Sequence, residues 1–236
     1  MIYTFGDSWT AKWQGYTPWP ELLNQETKNF AAAGSSNKQI LDQVAEASLQ
    51  YPNEKVDGVV VAFTSIARLT INMSMNMELC IALNPDYPWY ESLQKKVFEE
   101  AGLRNLLNQS FYTFHAIESI VNQTWSCKTY FIPVFEDCKF WREKKNFLPH
   151  SLINLLHNKE KGRYFMYDCP VYEFGYMQDA NKNGQEWLDK YIDNNWRKAH
   201  FERSDYTMTS ELFDNTQHPN QQGHRVLAEY FNSILN

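Results

Sequence analysis

Two kinds of apolar pattern alternate along the first half of the chain: short runs of consecutive apolar residues, and longer stretches with apolar positions three to four residues apart. The first kind fits strands and the second fits helices covered on one side. Ile2 to Phe5 is a β-branched and aromatic run stopped by Gly6-Asp7, which predicts a first strand. Pro18 to Glu26 predicts a short helix with Pro20 in its first turn, and Lys28 to Ala32 a second strand. Beyond the break at Gly34-Ser35-Ser36-Asn37, the residues Ile40, Leu41, Val44, Ala45 and Leu49 share one face of a helix. Val56 to Phe63 is dominated by consecutive apolar residues, as in a strand buried on both faces of a parallel sheet.

The pattern continues less regularly. A Pro-containing loop, Asn84 to Trp89, precedes a helical stretch from about Glu91 to Thr124, interrupted or capped by Gly102. Thr129 to Phe135 predicts a fourth strand, Arg163 to Asp168 a fifth, and Glu186 to Trp196 a helix. Residues 139–163 read as an inserted helical excursion. Near the end, Val226, Leu227, Tyr230, Phe231, Ile234 and Leu235 form one apolar stripe on a helix starting near Pro219-Asn220. Alternating strands and helices predict a three-layer α/β/α sandwich with a central, mostly parallel sheet of about five strands. With no internal repeat and no low-complexity linker, residues 1–236 read as a single domain.

Composition narrows the function classes. Of 236 residues, 43% are hydrophobic and 21% charged, which excludes a disordered or fibrous chain. Lys+Arg number 22 against 28 Asp+Glu, a net charge of −6, so there is no general basic surface for a phosphate backbone and nucleic acid is not an expected partner. The run Gly58 to Phe63 is too short to cross a bilayer, and MIYTFGDSW has no signal-peptide pattern; no membrane insertion and a cytoplasmic location are expected. On that expectation the sequons at Asn72, Asn108 and Asn122 are chance matches. Cys80, Cys127, Cys138 and Cys169 form no CxxC pair and no zinc spacing, which predicts reduced thiols and neither metal nor cofactor. Lys139, Arg142, Lys144 and Lys145 read as a solvated face.

Ligands of such sheets bind where loops leave the carboxyl ends of the strands. The loop after the first strand, Phe5-Gly6-Asp7-Ser8-Trp9-Thr10, places a serine there. The loop after the second, Ala33-Gly34-Ser35-Ser36-Asn37, offers a glycine whose N–H a substrate oxygen can approach closely. Asp214-Asn215-Thr216-Gln217-His218-Pro219-Asn220 brings a histidine and a carboxylate just before the last helix. Serine, an exposed N–H, and histidine with a carboxylate are the components of acyl transfer.

These segments resemble the SGNH hydrolases, also called GDSL-type esterases and lipases, over the whole chain. Gly6-Asp7-Ser8 is similar to their first block, with Ser8 in the nucleophile position. Gly34 is similar to the second-block glycine of the oxyanion hole. His218-Pro219-Asn220 with Gly223-His224 and Leu227-Ala228 resembles the last block, with His218 as the base. The resemblance implies a flavodoxin-like fold and a serine esterase working through a Ser8-His218-Asp214 triad and an acyl-enzyme. Its substrate would be a short-chain acyl ester, with O-acetyl groups on carbohydrate suggested by Trp9, Trp13, Tyr16 and Trp19 around the nucleophile. Plain packing is the competing reading of those aromatics.

Two departures from the family pattern stand out. The third block has an oxyanion-donating Asn, whereas this chain reads Ala62-Phe63-Thr64-Ser65-Ile66-Ala67-Arg68. Thr64 holds the equivalent slot, with Asn37 or Arg68 as alternative donors; this loop form resembles that of a viral subgroup, which implies a phage or viral source. In place of Asp-x-x-His, Asn215 lies three residues before His218 and Asp214 four before it, so either Asp214 across a bulge or Asn215 would orient the imidazole. Simpler roles are a turn or cap for Ser8, a left-handed turn for Gly34, a helix N-cap for Asn37 and a structural part for His224. The rival functions are a catalytically degenerate SGNH-fold domain binding glycan or protein, and a viral structural component.

Overall fold

Side chains alternate across an extended chain, so a strand buried on both faces feeds two cores at once. In the computed structural model, residues 1–64, 69–72, 76–79, 109–134, 146–148, 151–152, 155–156, 211–214 and 218–235 are described. The elements are β1 (Ile2–Phe5), a short 3-10 turn (Trp19–Leu22), β2 (Thr27–Asn29), α1 (Asn37–Gln50), β3 (Gly58–Phe63), β4 (Leu69–Asn72), β5 (Asn76–Leu79), α2 (residues 109–124), β6 (Lys128–Pro133) and α3 (Gln221–Leu235). The main sheet has the order β2-β1-β3-β6, every pair parallel, with Ile2 opposite both Thr27 and Gly58.

Tyr3, Phe5, Val59, Val61, Phe63 and Phe131 face one side, where they pack with Ile40, Val44 and Ala47 of α1 and Phe114, Ile117 and Val121 of α2. Ile2, Val60, Ala62 and Ile132 face the other, against Trp19, Leu227, Ala228 and Phe231. Helices therefore cover both faces, and the predicted three-layer α/β/α arrangement is present. Tyr3 is wholly buried, and its hydroxyl reaches Glu54, whose carboxylate also takes Lys28 Nζ at 2.7 Å. Burial, ahead of the Glu54 contact, pushes the Tyr3 phenol well above its ordinary range.

Several boundaries differ from expectation. The helix predicted over Pro18 to Glu26 is only a 3-10 turn: Glu21 N and Leu23 N bond three residues back, and Leu23 is already extended at φ −68, ψ 149. The second strand begins earlier and is shorter than predicted, although Phe30 N to Thr4 O (2.9 Å) and Ala32 N to Gly6 O (3.2 Å) carry the pairing on to Ala32. Ser36, not Asn37, caps α1, in a reciprocal capping box with Gln39. The buried face of α1 runs Asn37, Ile40, Val44, Ala47, which leaves Leu49 82% exposed instead of in the core.

Within the segment read as a helical excursion, Phe147 pairs in parallel with Phe131 and extends the sheet beyond β6. That contact stands where a fifth strand would lie. Leu152 and Leu156, four apart and both helical, are fully buried in the second core. β4 and β5 form a separate antiparallel pair that no sequence pattern had indicated. Gly102, the start of the long helix, the strand at Arg163 to Asp168, the helix at Glu186 to Trp196 and the lysine-rich positions 139–145 fall outside the described residues. Among the described residues, no helix is long and apolar enough to cross a membrane.

Candidate active site

Parallel strands bring the loops after β1, β2 and β3 to one edge of the sheet, and the strand order reverses direction there between β1 and β3. The chain leaves β1 through Gly6, where a Cβ would lie 2.7 Å from Thr10 Oγ1 and 3.1 Å from Ala62 Cβ, so the turn closes over glycine alone. Thr10 N and Ala11 N both donate to Asp7 O, at 3.0 and 2.8 Å, and hold the turn that carries Ser8. Asn29 Nδ2 braces it from β2 by donating to Thr10 O at 2.8 Å.

Ser8 Oγ lies 2.8 Å from His218 Nε2. His218 is held from both sides in sequence: Phe213 bridges Pro219, and Asp214 N donates to His218 O at 2.9 Å. Asn220 caps α3, its Oδ1 accepting from Gln222 N (2.9 Å) and Gly223 N (3.0 Å). A Cβ at Gly223 would stand 2.3 Å from Leu212 O, so the helix can sit this close to the loop only with glycine there. Asp214 is buried beside the histidine, and its Oδ1 accepts the His218 backbone N–H at 3.1 Å. Across the four-residue spacing the Asp214 carboxylate thus meets the His218 main chain; Asn215 lies outside the described residues.

Gly34 adopts φ +81, the left-handed conformation that favours glycine. Among the described residues, neither its N–H nor that of Ser8 has an acceptor. Gln43 of α1 ties their loops together: Oε1 accepts from Gly6 N at 3.2 Å, while Nε2 donates to Gly6 O at 3.1 Å and Ser35 Oγ at 2.8 Å. Nothing in helical periodicity singles out Gln43, whose part appears only once the two loops meet its amide.

Two of the remaining candidate donors, Thr64 and Asn37, are already engaged. Thr64 donates its one hydroxyl proton to Asp7 Oδ2 at 2.7 Å, with both residues fully buried, so that proton is committed to Asp7 and not to a substrate oxyanion. Asn37, in the first turn of α1, donates Nδ2 to Thr64 O at 3.1 Å. Arg68 lies outside the described residues. Trp9 is 3% exposed and packs edge-on against Phe213, which makes it a core residue and corrects its assignment to substrate contact. Trp19 likewise stacks on Phe231. Trp13 is different: half-buried, it stacks on the His218 ring with centroids 4.7 Å apart and planes 27° apart.

His224, expected to be structural, is completely buried. Burial first, then the neighbouring His218, pushes its pKa down to about 4, against a smaller opposing pull from Asp214. Burial likewise pushes the half-buried Cys127 thiol up to about 11, which leaves it protonated and a poor nucleophile. Among the described residues, no three His, Cys, Asp or Glu side chains gather as a metal site.

Fold and site together define an α/β protein with a serine–histidine pair at the carboxyl edge of its parallel sheet. No protein-family model matches the chain, and no curated protein does. A solved structure similar to this chain is from Streptococcus pneumonia and is described as "a putative platelet activating factor"; it is 12% identical, with 100% of this chain and 83% of that one covered, at a TM-score of 0.45. At that level of likeness, the chemistry rests on this chain's own residues.

Proposed function

We propose that the chain is a serine esterase of the SGNH type, acting on short-chain acyl esters. The observation that carries the reading is the 2.8 Å contact of Ser8 Oγ with His218 Nε2, made where the first strand ends. His218 Nε2 takes the Ser8 proton as Oγ attacks the ester carbonyl. The N–H groups of Ser8 and Gly34 receive the developing oxyanion. His218 then gives its proton to the departing alkoxide, leaving an acyl-serine that water hydrolyses with His218 again as base. Asp214, anchored at the His218 backbone, supplies the negative charge that favours the imidazolium. O-acetyl groups on carbohydrate are the substrate class to screen first, with Trp13 the aromatic beside the pair.

The test is intact mass after incubation with a fluorophosphonate, on wild type, Ser8→Ala and His218→Ala. A single adduct is expected on wild type, none on Ser8→Ala, and labelling slower by roughly 10⁴-fold on His218→Ala. Absence of adduct on folded wild type would overturn the reading. One observation favours a second reading, a degenerate binding domain: the Thr64 hydroxyl is held by Asp7, and loss of an oxyanion donor typically slows a hydrolase by about 100-fold to 1,000-fold. Glycan binding without turnover or labelling would select it.

A further inference from the structure

Of the aromatic residues around Ser8, Trp9 and Trp19 belong to the second hydrophobic core, while Trp13 belongs to neither core. Its ring is fixed elsewhere, against the face of His218. The segment carrying it is tied at both ends. Ala11 N donates to Asp7 O at one end; at the other, Gln221 at the start of α3 grips Thr17, accepting from its N–H at 3.0 Å and donating to its carbonyl at 3.3 Å. Between them the chain reverses through Gln14 (φ 50) and Gly15 (φ 82), and Tyr16 N closes back onto Trp13 O at 3.0 Å. The segment therefore links the Ser8 turn to the helix that follows His218, with Trp13 between them.

We infer that Trp13 is a positioning residue for His218: its indole face holds the imidazole against Ser8 and favours the imidazolium formed when the serine proton is taken. This rests on the esterase reading for its catalytic meaning, while the pairing itself does not. An aromatic face attracts a cation placed over it, and the attraction strengthens away from bulk water. A planar wall also restricts rotation of the imidazole, keeping Nε2 within hydrogen-bond reach of Ser8 Oγ. Among the described residues, the other charged or titratable groups near His218 are Asp214, which accepts its backbone N–H, and His224 in the first turn of α3. Lys12, next to Trp13 in the chain, is exposed, and the Asp7 carboxylate is directed to Trp9 N and Thr64 Oγ1.

The test is an NMR titration of the His218 ring Cε1–H in wild type, Trp13→Ala and Trp13→Phe, with fluorophosphonate labelling rates over the same pH series. The resonance is identified by its loss in His218→Ala. In Trp13→Ala the imidazolium loses its stacking partner, so the titration midpoint moves to lower pH and the ring-current shift of His218 disappears. Labelling well above the midpoint slows by about 10-fold. Trp13→Phe keeps an aromatic face and restores most of both. An unchanged midpoint and ring shift in folded Trp13→Ala would overturn the inference, as would an unchanged labelling rate where wild type labels. Failure of wild type to label, with the midpoint still displaced in Trp13→Ala, would sink the esterase reading and leave the Trp13–His218 pairing standing.

Discussion

The Thr64 hydroxyl donates to Asp7 Oδ2 at 2.7 Å, although 57 positions separate them, and both residues are fully shielded from solvent. The other Asp7 oxygen accepts from Trp9 N at 3.0 Å. Asn37 joins from α1 through Thr64 O, so the loops after β1, β2 and β3 share one buried hydrogen-bonded chain. The residue before Ser8 thus holds the turn, and Thr64 holds that residue.

Thr64→Val keeps the shape and removes the donor. A buried carboxylate oxygen then loses this donor, which costs about 1.5 to 3 kcal/mol. The urea midpoint should fall accordingly, with Thr64→Ser close to wild type. Equal midpoints for Thr64→Val and Thr64→Ser would show that this hydrogen bond contributes nothing to the fold.

Gln43→Met preserves volume but unties the Gly6 peptide from Ser35. Gly6 N–H loses its acceptor, at about 1 to 3 kcal/mol, whereas Gly6 O keeps the bond from Ala32 N. Fluorophosphonate labelling should slow by more than the small loss of folded protein accounts for, because the Ser8 and Gly34 loops lose the tie through Gln43 and keep only that from Ala32 N. A variant destabilised yet labelled at the wild-type rate would confine Gln43 to a structural part.

His224 carries the pH prediction. Its pKa is about 4 in the fold against 6.5 as the ordinary value, so between those two the unfolded chain binds the extra proton. Stability from keeping this ring neutral is fully present above about pH 6.5 and is lost as pH falls through 6.5 towards 4, about 3 kcal/mol in all. Among the described residues neither ring nitrogen has a hydrogen-bond partner, so His224→Leu should cost little at pH 7.5. Comparing urea midpoints at pH 7.5 and 5.0, the drop should be smaller in His224→Leu than in wild type. An equal drop in both would assign the acid sensitivity to other groups.

What the sequence disclosed was what periodicity encodes. β1, α1, β3 and α3 lie where their apolar patterns put them, because each buries a face defined within a few residues. Ser36-Asn37-Lys38-Gln39 also held a readable capping box, and Asn37 was the weaker choice of cap. The 3-10 turn stands in place of a helix because the backbone is already extended at Leu23, which leaves room for one turn only. Ser8, Gly34, Asp214 and His218 were visible as residue types in loops, but the partners of Thr64, Gln43 and Trp13 were not. Those contacts join segments far apart in sequence, and no local pattern carries them.

The Ser8–His218 contact spans 210 positions, from the first strand to the approach of the final helix. During synthesis from the amino end, the Ser8 turn emerges long before the segment that completes the pair. β1, β3 and α1 can assemble around a serine that still lacks its histidine. The pairing therefore depends on α3: a nascent or stalled chain without that helix presents Ser8 without His218, and on the esterase reading labelling of Ser8 would report, in one molecule, that α3 has docked.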